Sequence, residues 1–172
     1  MLRHTLIAAG ILLSCPAYAE LLKSTDDGFI VQHRTAIDRD VAMVFTAMTA
    51  KVGEWWNPDH SFSGDAGNMM IDLECFCERW ENNLVRHLDT MIWIENSKVI
   101  MEGGLGPLKE LGLSGSMIWL LAPNAEDGTT VTWKYHVYGT SETGLTGLAA
   151  AVDGVLKEQI DRLADYLLSA TD

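Results

Sequence analysis

The chain has 172 residues, 24 acidic against 12 basic side chains and a formal net charge of −12 at pH 7. A surface that anionic is repelled by phosphate backbones and anionic lipid headgroups, which argues against nucleic acid and the membrane surface as partners. Hydrophobic residues make up 48% of the sequence and tryptophan occurs six times, enough for a sizeable core.

Arg3 and His4 give a basic start, Thr5 to Leu13 an apolar stretch, and Ala17-Tyr18-Ala19 small residues at the two positions a signal peptidase reads. This order predicts an export signal over residues 1–19, cleavage after Ala19, and a periplasmic or secreted mature chain of residues 20–172 forming one domain. The apolar stretch is far shorter than the roughly 20 residues that span a bilayer, so no stable membrane span is expected. Leu12-Leu13-Ser14-Cys15 offers the alternative of a lipidated Cys15, but Pro16 directly follows the cysteine and the Ala-x-Ala site is cleaner.

Phe29 to Ile37 alternates and predicts a strand, with Phe29, Val31 and Thr35 on one face. Asp38 suits a helix N-cap before Val41, Val44, Phe45 and Met48, which recur at helical spacing. A second short helical turn carries Trp55 and Trp56 and is broken by Asn57-Pro58. Strands are predicted over Met69–Leu73, Cys77–Trp80, Leu84–Ile94, Lys98–Glu102, Ser114–Leu121 and Thr129–Tyr138, the last with Val131, Trp133, Tyr135 and Val137 on one face. The glycine-rich stretch from Gly103 to Leu108 reads as a cavity lid or a plain connection. Leu145, Leu148, Ala149, Val152, Val155, Leu156, Gln159, Ile160, Leu163 and Leu167 follow the spacing of an amphipathic helix for about six turns, with Ser141 or Thr143 as its cap. Such a stripe must cover something apolar, and an antiparallel sheet with one apolar face is the available partner.

Cys75 and Cys77 are the two cysteines left after removal of the signal segment, in a compartment that permits disulfides. In a continuous strand their Cα separation lies near the upper limit for a bridge. Three states are open: two packed thiols, a strained disulfide eased by a turn over Leu73–Phe76, or part of a metal site completed by His87 or Glu78. No phosphate-cradling Gly-x-x-x-x-Gly-Lys-Ser/Thr loop occurs, and Gly112-Leu113-Ser114-Gly115 does not have the spacing of a nucleophile elbow. His136 lies on the polar register of its strand and is expected to be solvated.

The order of elements resembles the START-like (birch-pollen-allergen-like, SRPBCC) helix-grip superfamily. Val41-Ala42-Met43-Val44-Phe45 and Trp55-Trp56-Asn57-Pro58-Asp59-His60 through Asp65 look like the branch joining polyketide cyclase/dehydrase-like proteins with homologues of the heat-shock-chaperone ATPase activator. Cys75-Phe76-Cys77-Glu78-Arg79, the Gly-Pro-Leu loop and Val152-Asp153-Gly154-Val155-Leu156 look like an exported subgroup of that branch. The resemblance covers Gly28 to Ala170. It implies an α+β fold: a curved antiparallel sheet of about six to seven strands wrapped around a long C-terminal helix, two short helices after the first strand, and an internal ligand cavity.

Within that fold, Trp55 and Trp56 fall at the implied cavity mouth. Trp119 and Trp133 occupy apolar registers that should face inward. His60, Cys77, Glu78 and His87 are the candidates for orienting a ligand's polar end. The expected function is binding or carriage of a small, mainly apolar ligand by a monomer, without a cofactor. The alternative is a cyclase-, dehydratase- or hydrolase-like enzyme in which His60, Glu78 or His87 transfers protons. A co-chaperone role follows only from the branch name, and export would separate it from the cytosolic chaperone.

Overall fold

The computed structural model describes residues 18–169. The proposed signal segment up to Ala17, with Cys15, lies outside the described residues. The described residues form eight strands, three α-helices and four short single-turn helices. It begins with β1 (Tyr18–Thr25), β2 (Gly28–Ile37), α1 (Val41–Met48) and α2 (Val52–Trp55). Then follow β3 (Met69–Ile71), β4 (Cys75–Trp80), β5 (Asn83–Ile94), β6 (Lys98–Glu102), β7 (Ser114–Pro123), β8 (Thr129–Tyr138) and α3 (Leu145–Ser169).

The strands make one antiparallel open sheet in the order β1-β2-β8-β7-β6-β5-β4-β3. Together with the long C-terminal helix and the short helices after β2, this is an α+β architecture compatible with the helix-grip fold. Seven strands are those expected from alternation. The eighth, β1, pairs along β2 from Tyr18↔Arg34 to Thr25↔Gly28, and cleavage after Ala19 would leave Glu20 to Thr25 of it. No helix among the described residues is long and apolar enough to cross a membrane.

Alternation decides which face of the sheet is buried. Phe29, Val31 and His33 of β2, Met117, Trp119 and Leu121 of β7, and Val131, Trp133, Tyr135 and Val137 of β8 all point into the core. α3 covers this face at the β1–β2 end and also packs against α1 and α2. Its residues Leu145, Ala149, Leu156, Ile160, Leu163 and Leu167 are buried, each large side chain worth roughly 1.5–3 kcal/mol when fully covered. Trp119 and Trp133 sit opposite each other across β7 and β8 and stack with ring centroids 4.7 Å apart. Trp55 continues the contact at 5.9 Å and donates its indole N–H to the Ala47 carbonyl at 2.8 Å.

Two local expectations, both of helix caps, are corrected, and the open question of Cys75 and Cys77 is answered by one of its three alternatives. The α1 N-cap is Asp40 rather than Asp38, two residues closer to the helix: its Oδ1 accepts from the Met43 amide at 2.9 Å. Neither Ser141 nor Thr143 is seen to cap α3. Both lie in a separate helical turn, the Thr143 hydroxyl donates to the Thr140 carbonyl, and Gly144 (φ 65°) redirects the chain into the helix. Cys75 and Cys77 are joined in a disulfide with a Cα–Cα separation of 5.5 Å. That is shorter than the i, i+2 span of regular extended chain, and the pairing with β5 is irregular at the same point: Phe76 faces Leu88 and Cys77 faces Arg86, which leaves His87 as the extra, bulged residue of β5. With its sulfurs bonded to each other, the pair is neither free thiol nor metal ligand.

Candidate functional site

The apolar stripe of α3 is not covered evenly. Leu148, Val152 and Val155 are only half-buried, although they lie on the same stripe as fully buried neighbours. These three, with Ala151 and Leu156, form one wall of a cavity of about 410 Å³. The opposing walls come from two loops, Trp56 to Phe62 and Leu105 to Leu111, and the cavity is completed by Met69 of β3 and His87 of β5. Apart from Asp59, His60, Ser61 and His87, the lining side chains are apolar or glycine.

Each loop is fastened by buried or half-buried polar groups. Asn57 donates its backbone N–H to Gln159 Oε1 at 2.9 Å and its side-chain amide to Glu158 Oε1, tying the first loop to α3. His60 Nε2 lies 3.2 Å from Glu158 Oε2, and the Trp56 indole donates to the His60 carbonyl at 3.2 Å. From below, Glu78 of β4 accepts from the amides of Phe62 at 2.9 Å and Ser63 at 2.6 Å. The second loop is held by Tyr135 of β8, whose hydroxyl donates to the Gly103 carbonyl at 2.8 Å and accepts from the Leu105 amide at 2.9 Å. Burial pushes the Tyr135 phenol far up, so it remains a neutral donor. Gly103 needs its φ of 138°, and a Cβ on Gly104 would sit 2.6 Å from the Leu113 carbonyl, so glycine sets this turn.

Glu78 and His87 form the polar floor. Burial raises the Glu78 pKa, but the hydrogen bonds from Ser63 and Phe62 and the His87 ring nearby outweigh it, leaving the carboxyl below the usual range and ionised. Burial lowers His87 more than the adjacent Glu78 carboxylate raises it, so the imidazole is neutral at pH 7. Its Nε2 is 3.4 Å from Glu78 Oε2, a long and poorly aligned approach. The ring lies between Phe76 and Phe62, with centroids at 5.4 and 5.9 Å. His33, the other buried histidine, is 3.0 Å from Asp153 on α3, again poorly aligned, and is outside the cavity lining.

Of the residues expected at the site, the cavity wall includes Trp56, His60 and His87. Glu78 is directly behind it, holding the 62–63 backbone. Trp55, Trp119 and Trp133 belong to the packed core beyond Trp56, and Cys77 is buried in its disulfide. Inward register placed the tryptophans correctly on the core face, but register does not say which inward side chains meet empty space. The Leu105–Leu111 wall had a signal in its glycine-proline loop, which the sequence left as lid or connection. The 148–155 wall was visible as stripe without any sign of what it faces. Among the described residues no cluster of three or more histidine, cysteine or acidic side chains is placed to hold a metal ion.

No protein-family model and no curated protein matches the chain. Its fold does match solved structures. A conserved protein of unknown function from Enterococcus faecalis aligns with TM-score 0.60 at 9% identity, over 90% of this chain and 80% of its own. A Rhodobacter sphaeroides protein aligns with TM-score 0.58 at 12% identity, over 89% of this chain and 100% of its own. A Staphylococcus aureus protein of unknown function gives 0.59 at 11% identity, over 83% and 95%. At these identities the likeness is one of fold alone.

Proposed function

We propose that this chain is an exported member of the START-like superfamily that binds and carries a small, mainly apolar molecule in the cavity beside α3. One observation carries the reading. Leu148, Val152 and Val155 present apolar surface that the protein itself covers only in part, opposite a second apolar wall across about 410 Å³. Volume and lining are those of a small-molecule site. An enzyme of the cyclase or hydrolase kind has less support, because His60 is engaged with Glu158 and Glu78 with two amides.

The test is native mass spectrometry of the protein purified from the envelope fraction and again after incubation with decanol. A bound small molecule is expected in at least one sample, and Val155→Trp, which fills the cavity, should abolish it. Absence of any adduct in both samples, with no shift in melting temperature, would refute the carrier.

A further inference from the structure

Resting on that reading, we propose that the cavity selects an apolar molecule carrying a neutral hydroxyl, which donates its proton to Nδ1 of His87. Both ring nitrogens of His87 are buried and neither makes a well-formed hydrogen bond within the protein, although the residue is 2% exposed and lines the cavity. A buried polar group without a partner is rare in a native protein and points to something that completes it. The two nitrogens are not equivalent. Nε2 faces the Glu78 carboxylate at 3.4 Å, and an ionised carboxylate only accepts, so the single imidazole proton belongs on Nε2. That leaves Nδ1 with a lone pair, and the missing partner is a donor.

The surroundings decide which donor. Burial keeps His87 neutral, so it offers no positive charge to an anion. Asp59 on the cavity wall, Glu158 beside His60 and Glu78 beside His87 are all acidic. Lys109, whose charge reaches His87, is exposed and donates to the Arg86 carbonyl at 2.6 Å. A carboxylate headgroup would therefore arrive without a proton, opposite a lone pair and among like charges. An alcohol or phenol supplies the donor without the charge, and its apolar body lies along Leu148, Val152 and Val155 on one side and Leu105, Pro107 and Leu108 on the other.

Isothermal titration at pH 7.5 with decanol, its methyl ether and decanoate separates these cases. The ether keeps the apolar chain but cannot donate, and decanoate replaces the donor by a charge. Decanol should bind about five- to tenfold tighter than the ether, the worth of one neutral hydrogen bond, and decanoate weakest of the three. His87→Phe should bring decanol and ether to equal affinity. The nitrogen-15 resonances of His87 in the unaltered protein give a readout that needs no variant: Nδ1 should be the unprotonated nitrogen and should move on adding decanol and not on adding ether. Equal affinities for decanol and ether, tighter decanoate, or a protonated Nδ1 would overturn the hydroxyl preference while the carrier stands. If none of the three binds, the carrier reading falls and this inference with it.

Discussion

A fully buried carboxylate holds the floor of the cavity, and Glu78 stays ionised because two amides and a histidine face it. Its folded pKa lies below the ordinary 4.5, so its contribution to stability is present above that value and is lost as the pH falls below it. His87 and His33 are also shifted down, from 6.5, principally by burial. As the pH falls through 6.5 the unfolded chain takes up these protons before the folded one does, so stability declines there too. The urea midpoint should therefore drop in two stages, first below about pH 6.5 and again below about pH 4.5. Glu78→Gln should cost about 1–3 kcal/mol at pH 7 and remove the second stage, because it weakens the hold on the Phe62 and Ser63 amides. A midpoint that is flat from pH 7.5 to 5.5 would contradict the burial of the two neutral imidazoles. At this scale the sequence was legible in part. His87 was read as cavity-facing from its strand, but the engagement of Glu78 with a backbone sixteen residues away leaves no periodic trace. The Cys75–Cys77 bridge needs a Cα–Cα separation shorter than regular extended chain gives, and an alternating pattern does not announce where a strand departs from regular spacing.

Among elements, α3 separates two kinds of apolar residue that look alike in sequence. Leu163 is fully buried against protein, whereas Val155 on the same stripe faces the cavity. Leu163→Ala should cost about 2–5 kcal/mol, the loss of transfer energy plus a new void, and Val155→Ala less than half as much because its void already exists. Urea denaturation of the two variants checks this, and equal losses would mean that the cavity is closed by packing in solution. The helix itself could be read from spacing alone, since six turns of i, i+3, i+4 leave little choice. What covers each turn could not, because periodicity reports the direction of a side chain and not its neighbour. The same limit applies to the α1 cap. Asp38 and Asp40 are both good capping residues, and only the path of the chain leaving β2 puts Asp40 within reach of the Met43 amide.

For the molecule as a whole, the expected export signal and the observed disulfide point to the same oxidising compartment. N-terminal sequencing of the envelope form should begin at Glu20, and recovery of Met1 on the mature protein would refute export. Such a cut leaves β1 able to pair from Glu20 onward, so the sheet keeps its outer strand. The packing of the tryptophans also makes the molecule an optical instrument. Trp119, Trp133, Trp55 and Trp56 follow one another at centroid spacings of 4.7, 5.9 and 5.7 Å, close enough for absorbed light to pass freely along them. Trp56 stands at the end of that path, on the cavity wall and 5.0 Å from Phe76, the residue enclosed by the two bridged sulfurs. Four of the six tryptophans can thus exchange excitation along one chain, so a ligand that quenched Trp56 in the proposed cavity would dim the others with it.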